Sequence, residues 1–204
     1  MKSMNRLGAA ALLSLLLAAC VPKAAVRTPG DAGMLNEQQM REQALAGTDH
    51  WTLEGRIAVS DSKNSGSGDI TWVQDGQHYV FTIRGPFGKS FRLTGSPDQA
   101  LLEGMDGGPI NGPDAEALLR RALGWEVPLR ELRAWVLGLR ADGGPAELSF
   151  GQDRLPSLLQ QDGWSVDYRE WDTTRQPALP KKVFADKAPF KVKLSIESWQ
   201  LAPQ

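Results

Sequence analysis

Cys20 is the single cysteine in a chain of 204 residues, so no internal disulfide can form; with only two histidines, His50 and His78, it also leaves little for a zinc site. Ser60-Asp61-Ser62-Lys63 matches the S-x-x-K spacing in which a lysine can activate a serine, but it lies in a polar stretch and no K-T-G follows. There is no HExxH, and His50 and His78 fall on or beside strand-like segments without the Ser or Cys context of a triad. Gly66-Ser67-Gly68 lacks the third glycine and the following helix of a dinucleotide loop, and no Walker pattern occurs, so nothing here would draw on nucleotide energy. Asp167, Glu170 and Asp172 sit at strand-face and turn positions and read as solvated surface. The chain therefore reads as a non-enzyme without metal or cofactor.

What remains is the chemistry of Cys20. Met1 to Arg6 carries Lys2 and Arg6, Leu7 to Ala19 is uncharged and apolar, and small residues precede the cysteine. This is the layout of a secretory signal peptide, and the apolar run is short of the roughly 20 residues that span a bilayer. Leu17-Ala18-Ala19-Cys20 resembles a bacterial lipobox, in which the cysteine becomes the first mature residue and carries acyl chains. The expected layout is a signal over 1–19, a lipidated Pro/Gly/Ala-rich tether over 20–33 and one domain over 34–204. Removing residues 1–19 leaves 21 Lys+Arg against 24 Asp+Glu. Val21-Pro22-Lys23 lacks the aspartate that commonly retains such proteins in the inner membrane, which favours the outer membrane. A near-neutral balance (net −1, pI about 6.1) offers no concentrated basic surface for nucleic acid; 41% hydrophobic and 23% charged residues describe an ordinary globular body.

The elements that would position any site follow from periodicity. Met34 to Leu45 reads as an amphipathic helix. Trp51, Leu53, Ile57 and Val59 alternate with polar neighbours, Ser60 to Gly68 reads as a polar turn, and Ile70 and Trp72 resume the alternation. Tyr79, Phe81 and Ile83, then Phe91 and Leu93, form the next apolar faces, broken at Gly85-Pro86-Phe87-Gly88. Leu101, Leu102 and Met105 suggest a short strand before a Gly/Pro-rich break at 107–113. Two helices follow: one opened by Pro113-Asp114, with Leu118, Leu119, Ala122 and Leu123 as its stripe and Gly124 as its stop, and one over Leu129 to Leu137 with Gly138 behind it. Strands return at Leu148 and Phe150, Leu158-Leu159, Trp164 to Tyr168, and Phe190 to Ile196. Closely spaced strands make an antiparallel meander that tends to curl, with the helices covering its apolar face. Such an arrangement can enclose a dense core or a cavity, and periodicity alone does not choose.

Several stretches in order resemble the LolB family of outer-membrane lipoprotein receptors: the lipobox ending at Cys20, GRIAVS (Gly55 to Ser60), ITWVQDGQHYVFTIRGPFGKSFRL (Ile70 to Leu93), WVLGL (Trp135 to Leu139), GWSVDYREW (Gly163 to Trp171), QPALPKKV (Gln176 to Val183) and KVKLSIESW (Lys191 to Trp199). The resemblance implies a strongly curved, unclosed antiparallel sheet of about eleven strands, covered by helices over an apolar cavity. It implies a protein facing the periplasm, anchored in the inner leaflet of the outer membrane through lipidated Cys20. Such a protein takes lipoproteins from the periplasmic carrier LolA and inserts their acyl chains into that leaflet. Within this reading Trp51, Tyr79, Phe81, Ile83, Phe91, Leu93, Leu119, Trp135 and Val136 would wall the cavity. Pro86, Phe87 and Gly88 would form the membrane-insertion loop, where the family presents a protruding apolar residue, usually Leu; Arg84 and Lys89 flank it. A monomer is expected. The alternatives are an assembly lipoprotein that uses its sheet as an interaction surface, and a carrier of another amphiphile.

Overall fold

Alternation of apolar and polar residues over Trp51 to Val59 buries every second side chain, and the backbone responds with an eleven-residue strand. The structure, a computed structural model, describes residues 27–88 and 90–202, the Phe87 side chain excepted. The signal segment, Cys20 and Lys89 lie outside the described residues.

Among the described residues twelve strands form one antiparallel sheet: β1 (Thr28–Pro29), β2 (His50–Ser60), β3 (Ser65–Asp75), β4 (His78–Arg84), β5 (Ser90–Ser96), β6 (Gln99–Glu103), β7 (Ile110–Gly112), β8 (Ala146–Phe150), β9 (Pro156–Gln161), β10 (Trp164–Asp172), β11 (Leu179–Lys187) and β12 (Phe190–Leu201). Their order is β1-β8-β9-β10-β11-β12-β2-β3-β4-β5-β6-β7; the first and last strands do not pair, so the sheet is not closed. Among the described residues there are three helices, α1 (Ala32–Leu45), α2 (Ala115–Leu123) and α3 (Leu129–Trp135). The expected fold class holds.

The differences have physical causes. Helix α1 starts at Ala32, not Met34, because the Asp31 carboxylate accepts the Met34 N–H at 2.8 Å and caps it. Its buried residues are Gln38, Arg41 and Leu45, while Leu35 and Met40 are exposed, so polar bonds rather than an apolar stripe dock this helix. Thr28 and Pro29, placed in the tether by sequence, pair with Phe150 and Ser149 of β8. The polar turn shrinks to residues 61–64, and β3 pairs with β2 from Ser60↔Ser65 onward. The 107–113 break contains β7. Helix α3 ends at Trp135, and Val136 and Leu137 continue as buried turn residues. Strand β11 had no counterpart among the expected strands: Pro180 and outward-facing Phe184 blur its pattern, yet Leu179, Val183 and Ala185 are buried.

Two polar devices hold α1 and α3 together. Gly138, at φ +72 beyond α3, lies where a Cβ would meet the Trp171 ring. This lets Arg41 reach the end of α3: its guanidinium donates to the carbonyls of Gly138 (2.8 Å), Leu137 (2.6 Å) and, before β11, Ala178 (2.6 Å), and stacks 4.8 Å from the Trp171 ring centroid. Arg140 adds a forked bond to Glu42 on α1, at 2.9 and 2.6 Å.

Candidate functional site

The interior has two parts. Between the end of α3 and strands β9 and β10 it is packed around tryptophan: Trp135 is fully buried, its indole N–H donates to Gln161 Oε1 at 3.2 Å, and its ring sits 6.1 Å from that of Trp164. Between the α2–α3 segment and strands β2 to β5 a cleft remains. It encloses about 420 Å³ of unfilled space, solvent at its open side included, and its unobstructed part is no larger than one or two water molecules. Its lining is apolar throughout: Ile57 and Val59 from β2, Ile70 and Trp72 from β3, Phe81 and Ile83 from β4, Phe91 and Leu93 from β5, Leu194 from β12, and Leu119, Trp125, Val127, Leu129 and Leu132 from the helices and their linker. Neighbouring strands are about 4.8 Å apart. Five of them reaching one cleft this narrow means that the sheet bends around it.

The mouth is identified by exposure. Among the described lining residues, all but Phe91 and Trp125 are buried, and these two rings meet edge to face at 5.5 Å. Phe91 pairs with Ile83 across β4 and β5, whose connection is a short 3-10 turn over Pro86–Gly88. The loop that carries Phe87 thus stands beside the opening. Pro86 and Gly88 are exposed.

Of the residues expected to wall a cavity, Phe81, Ile83, Phe91, Leu93 and Leu119 come together on the cleft, while Trp51, Tyr79, Trp135 and Val136 do not line it. Trp51 packs behind it, 4.8 Å from Trp72 and 5.3 Å from Trp199. Tyr79 stacks edge-on to Phe81 at 5.3 Å, and its hydroxyl is pushed up to about 12, first by burial and then by Glu116 and Asp114. Val136 follows Trp135 at the end of α3 and is fully buried. Sequence reasoning missed Trp125, whose signal was a large ring stranded between the helix-stopping Gly124 and Pro128.

The other candidate chemistries do not assemble. The Asp61 carboxylate accepts the N–H groups of Lys63 and Asn64, both at 2.6 Å, so Ser60 to Lys63 is a capped turn whose carboxyl those bonds hold low. His50 faces Asp75 at 2.7 Å on an exposed strand end. Lys181 and Lys182 share Glu170 (3.2 and 2.6 Å), and Lys191 pairs with Asp186 at 3.2 Å. Among the described residues no cluster of three or more His, Cys, Asp or Glu could hold a metal ion, and no helix is long and apolar enough to cross a membrane.

A family model described as "Outer membrane lipoprotein LolB" matches residues 49–199. The chain is 38% identical over 169 residues to the outer-membrane lipoprotein LolB of Xanthomonas axonopodis pv. citri, covering 80% of this chain and 78% of that one. It is 32% identical over 185 residues to its namesake in Pseudomonas fluorescens, covering 90% of each. Among solved structures, a DUF1329 family protein from Desulfovibrio piger superposes with a TM-score of 0.54 at 5% identity, covering 85% of this chain and 93% of that one, a likeness of fold alone.

Proposed function

The chain belongs to the outer membrane lipoprotein LolB family, and from that premise we propose that it accepts lipoproteins from a LolA-type periplasmic carrier and delivers their acyl chains into the inner leaflet of the outer membrane. Membership brings with it an outer-membrane lipoprotein and a role in lipoprotein localisation, and the family is not a known enzyme family. The finer reading rests on one observation: a cleft lined only by apolar side chains opens at Phe91 and Trp125, next to the loop that carries Phe87.

Energetics give the arrangement a purpose. Three acyl chains of roughly 15 methylenes each, at about 0.8 kcal/mol per CH₂, would cost on the order of 35 kcal/mol in bare water. Chains must therefore pass between apolar sites, and direction follows from rising affinity: carrier, then this protein, then bilayer. Phe87 is the residue assigned to the last handover, since a phenyl ring immersed in acyl chains gains roughly 1.5–3 kcal/mol. Cys20 carries the acyl anchor and holds the body at the membrane, facing the periplasm.

The test is transfer of a labelled lipoprotein from the carrier to liposomes. Phe87→Glu is expected to keep uptake and to block release; full insertion by that variant removes the loop from the mechanism. A protein that takes up no fluorescent fatty acid would instead point to an assembly lipoprotein.

A further inference from the structure

The cleft is nearly shut, so something must move before an acyl chain can enter. Twelve of the described lining residues are buried and fixed on strands, on helices or in the tail of their linker, and the solvent side is closed by two rings. One of them, Phe91, is part of β5 and is held by its pairing with β4. The other, Trp125, stands in the linker between α2 and α3, directly after Gly124, whose backbone is left-handed at φ +69. Its N–H reaches the Leu119 carbonyl only at 3.4 Å. Buried Leu119 before it and buried Val127 after it fix the ends of a short segment around one large, half-exposed ring.

The seat of that ring is specific. The indole turns its Cζ2 edge onto Gly66 of β3, and the Cβ that any other residue would carry there would overlap that edge. Gly66 pairs with Val59, itself a lining residue, so the ring rests on the rim of the cleft and meets Phe91 across it. We propose that Trp125 decides entry to the cleft: seated on Gly66 against Phe91 it excludes solvent from the empty site, and swung outward it admits one linear alkyl chain. This rests on the cleft being the acyl site. The aromatic contact that must be broken is of a size that changes the open population by up to about tenfold.

The experiment mixes fluorescently labelled palmitate rapidly with the full chain carrying Cys20→Ala, alone and with Trp125→Ala, Trp125→Phe or Gly66→Val. Trp125→Ala removes the ring, and Gly66→Val keeps it but destroys its seat. Both are expected to take up the probe about tenfold faster than the parent, with Trp125→Phe in between. In Gly66→Val the Trp125 emission, taken as the difference from the same chain with Trp125→Phe, should become more accessible to acrylamide. Unfolding midpoints confirm that each variant is folded. If the probe binds every form at the parent's rate, Trp125 is not the entry residue while the acyl-site reading stands. If no form binds the probe, the acyl-site reading falls and the entry proposal with it.

Discussion

Arg41→Met replaces a buried guanidinium by an apolar side chain of similar length and isolates what the clasp between α1 and α3 contributes. Two effects oppose each other. Burial disfavours the charge and brings the Arg41 pKa down to about 10 from its usual 12.5, which at about 1.4 kcal/mol per unit corresponds to a cost on the order of 3 kcal/mol. Against it stand three charge-assisted bonds to the carbonyls of Leu137, Gly138 and Ala178, at roughly 1.5–3 kcal/mol each, and stacking on Trp171 at roughly 0.5–2 kcal/mol. Gln38 still donates to Gly138 at 3.1 Å in the variant, which trims the upper end, but the Leu137 and Ala178 carbonyls lose their guanidinium donor. The bonds win, and the variant should be less stable by about 2–5 kcal/mol. Urea unfolding followed by tryptophan emission measures this as a lower midpoint at unchanged slope. Arg41→Lys, with a point charge in place of the fork, should fall between the two. A loss below about 1 kcal/mol for Arg41→Met would refute the reasoning, because burial cost and hydrogen bonds would then cancel.

Two further outcomes follow from groups away from the cleft. The chain has two tyrosines, and burial raises both: Tyr79 to about 12 and Tyr168, with its hydroxyl buried and unpartnered, further still. Unfolded phenols ionise near pH 10, so stability is fully present below that pH and is lost as pH rises toward 12; tyrosinate absorbance should appear only together with loss of the folded tryptophan signal, and ordinary titration of either phenol in the folded protein would count against the burial. Gly55 of β2 faces the bulge in β12, and a Cβ there would collide with the Ser195 carbonyl oxygen and the Ile196 backbone. Gly55→Ala should therefore lower the thermal midpoint by the equivalent of about 1–3 kcal/mol, and an unchanged midpoint would mean that the two strands can part at little cost.

Sequence periodicity revealed which face of a strand is buried far better than it revealed where along the sheet a residue lies. Trp51 and Phe81 have equally clear inward patterns, but only Phe81 reaches the cleft, because lateral position depends on pairing partners distant in sequence. Trp135 has helical spacing like Leu132, yet one turn further on it meets Gln161 of β9 and not the cleft. Strands β2 and β12 were legible because both alternate over long stretches; β1 was not, since two residues have no period. Trp125 belongs to no repeat, and only its closeness to Gly66, 59 positions earlier, gives it meaning.

The two ends of the sheet carry a consequence for how other proteins can meet this one. One border is a two-residue strand containing Pro29, which has no amide hydrogen to offer, and the other is the three-residue strand Ile110–Gly112. Among the described residues neither strand is long enough to template an incoming extended segment of more than a few residues. A partner that meets either flank would have to be held by side chains, since the backbone there offers too few paired groups.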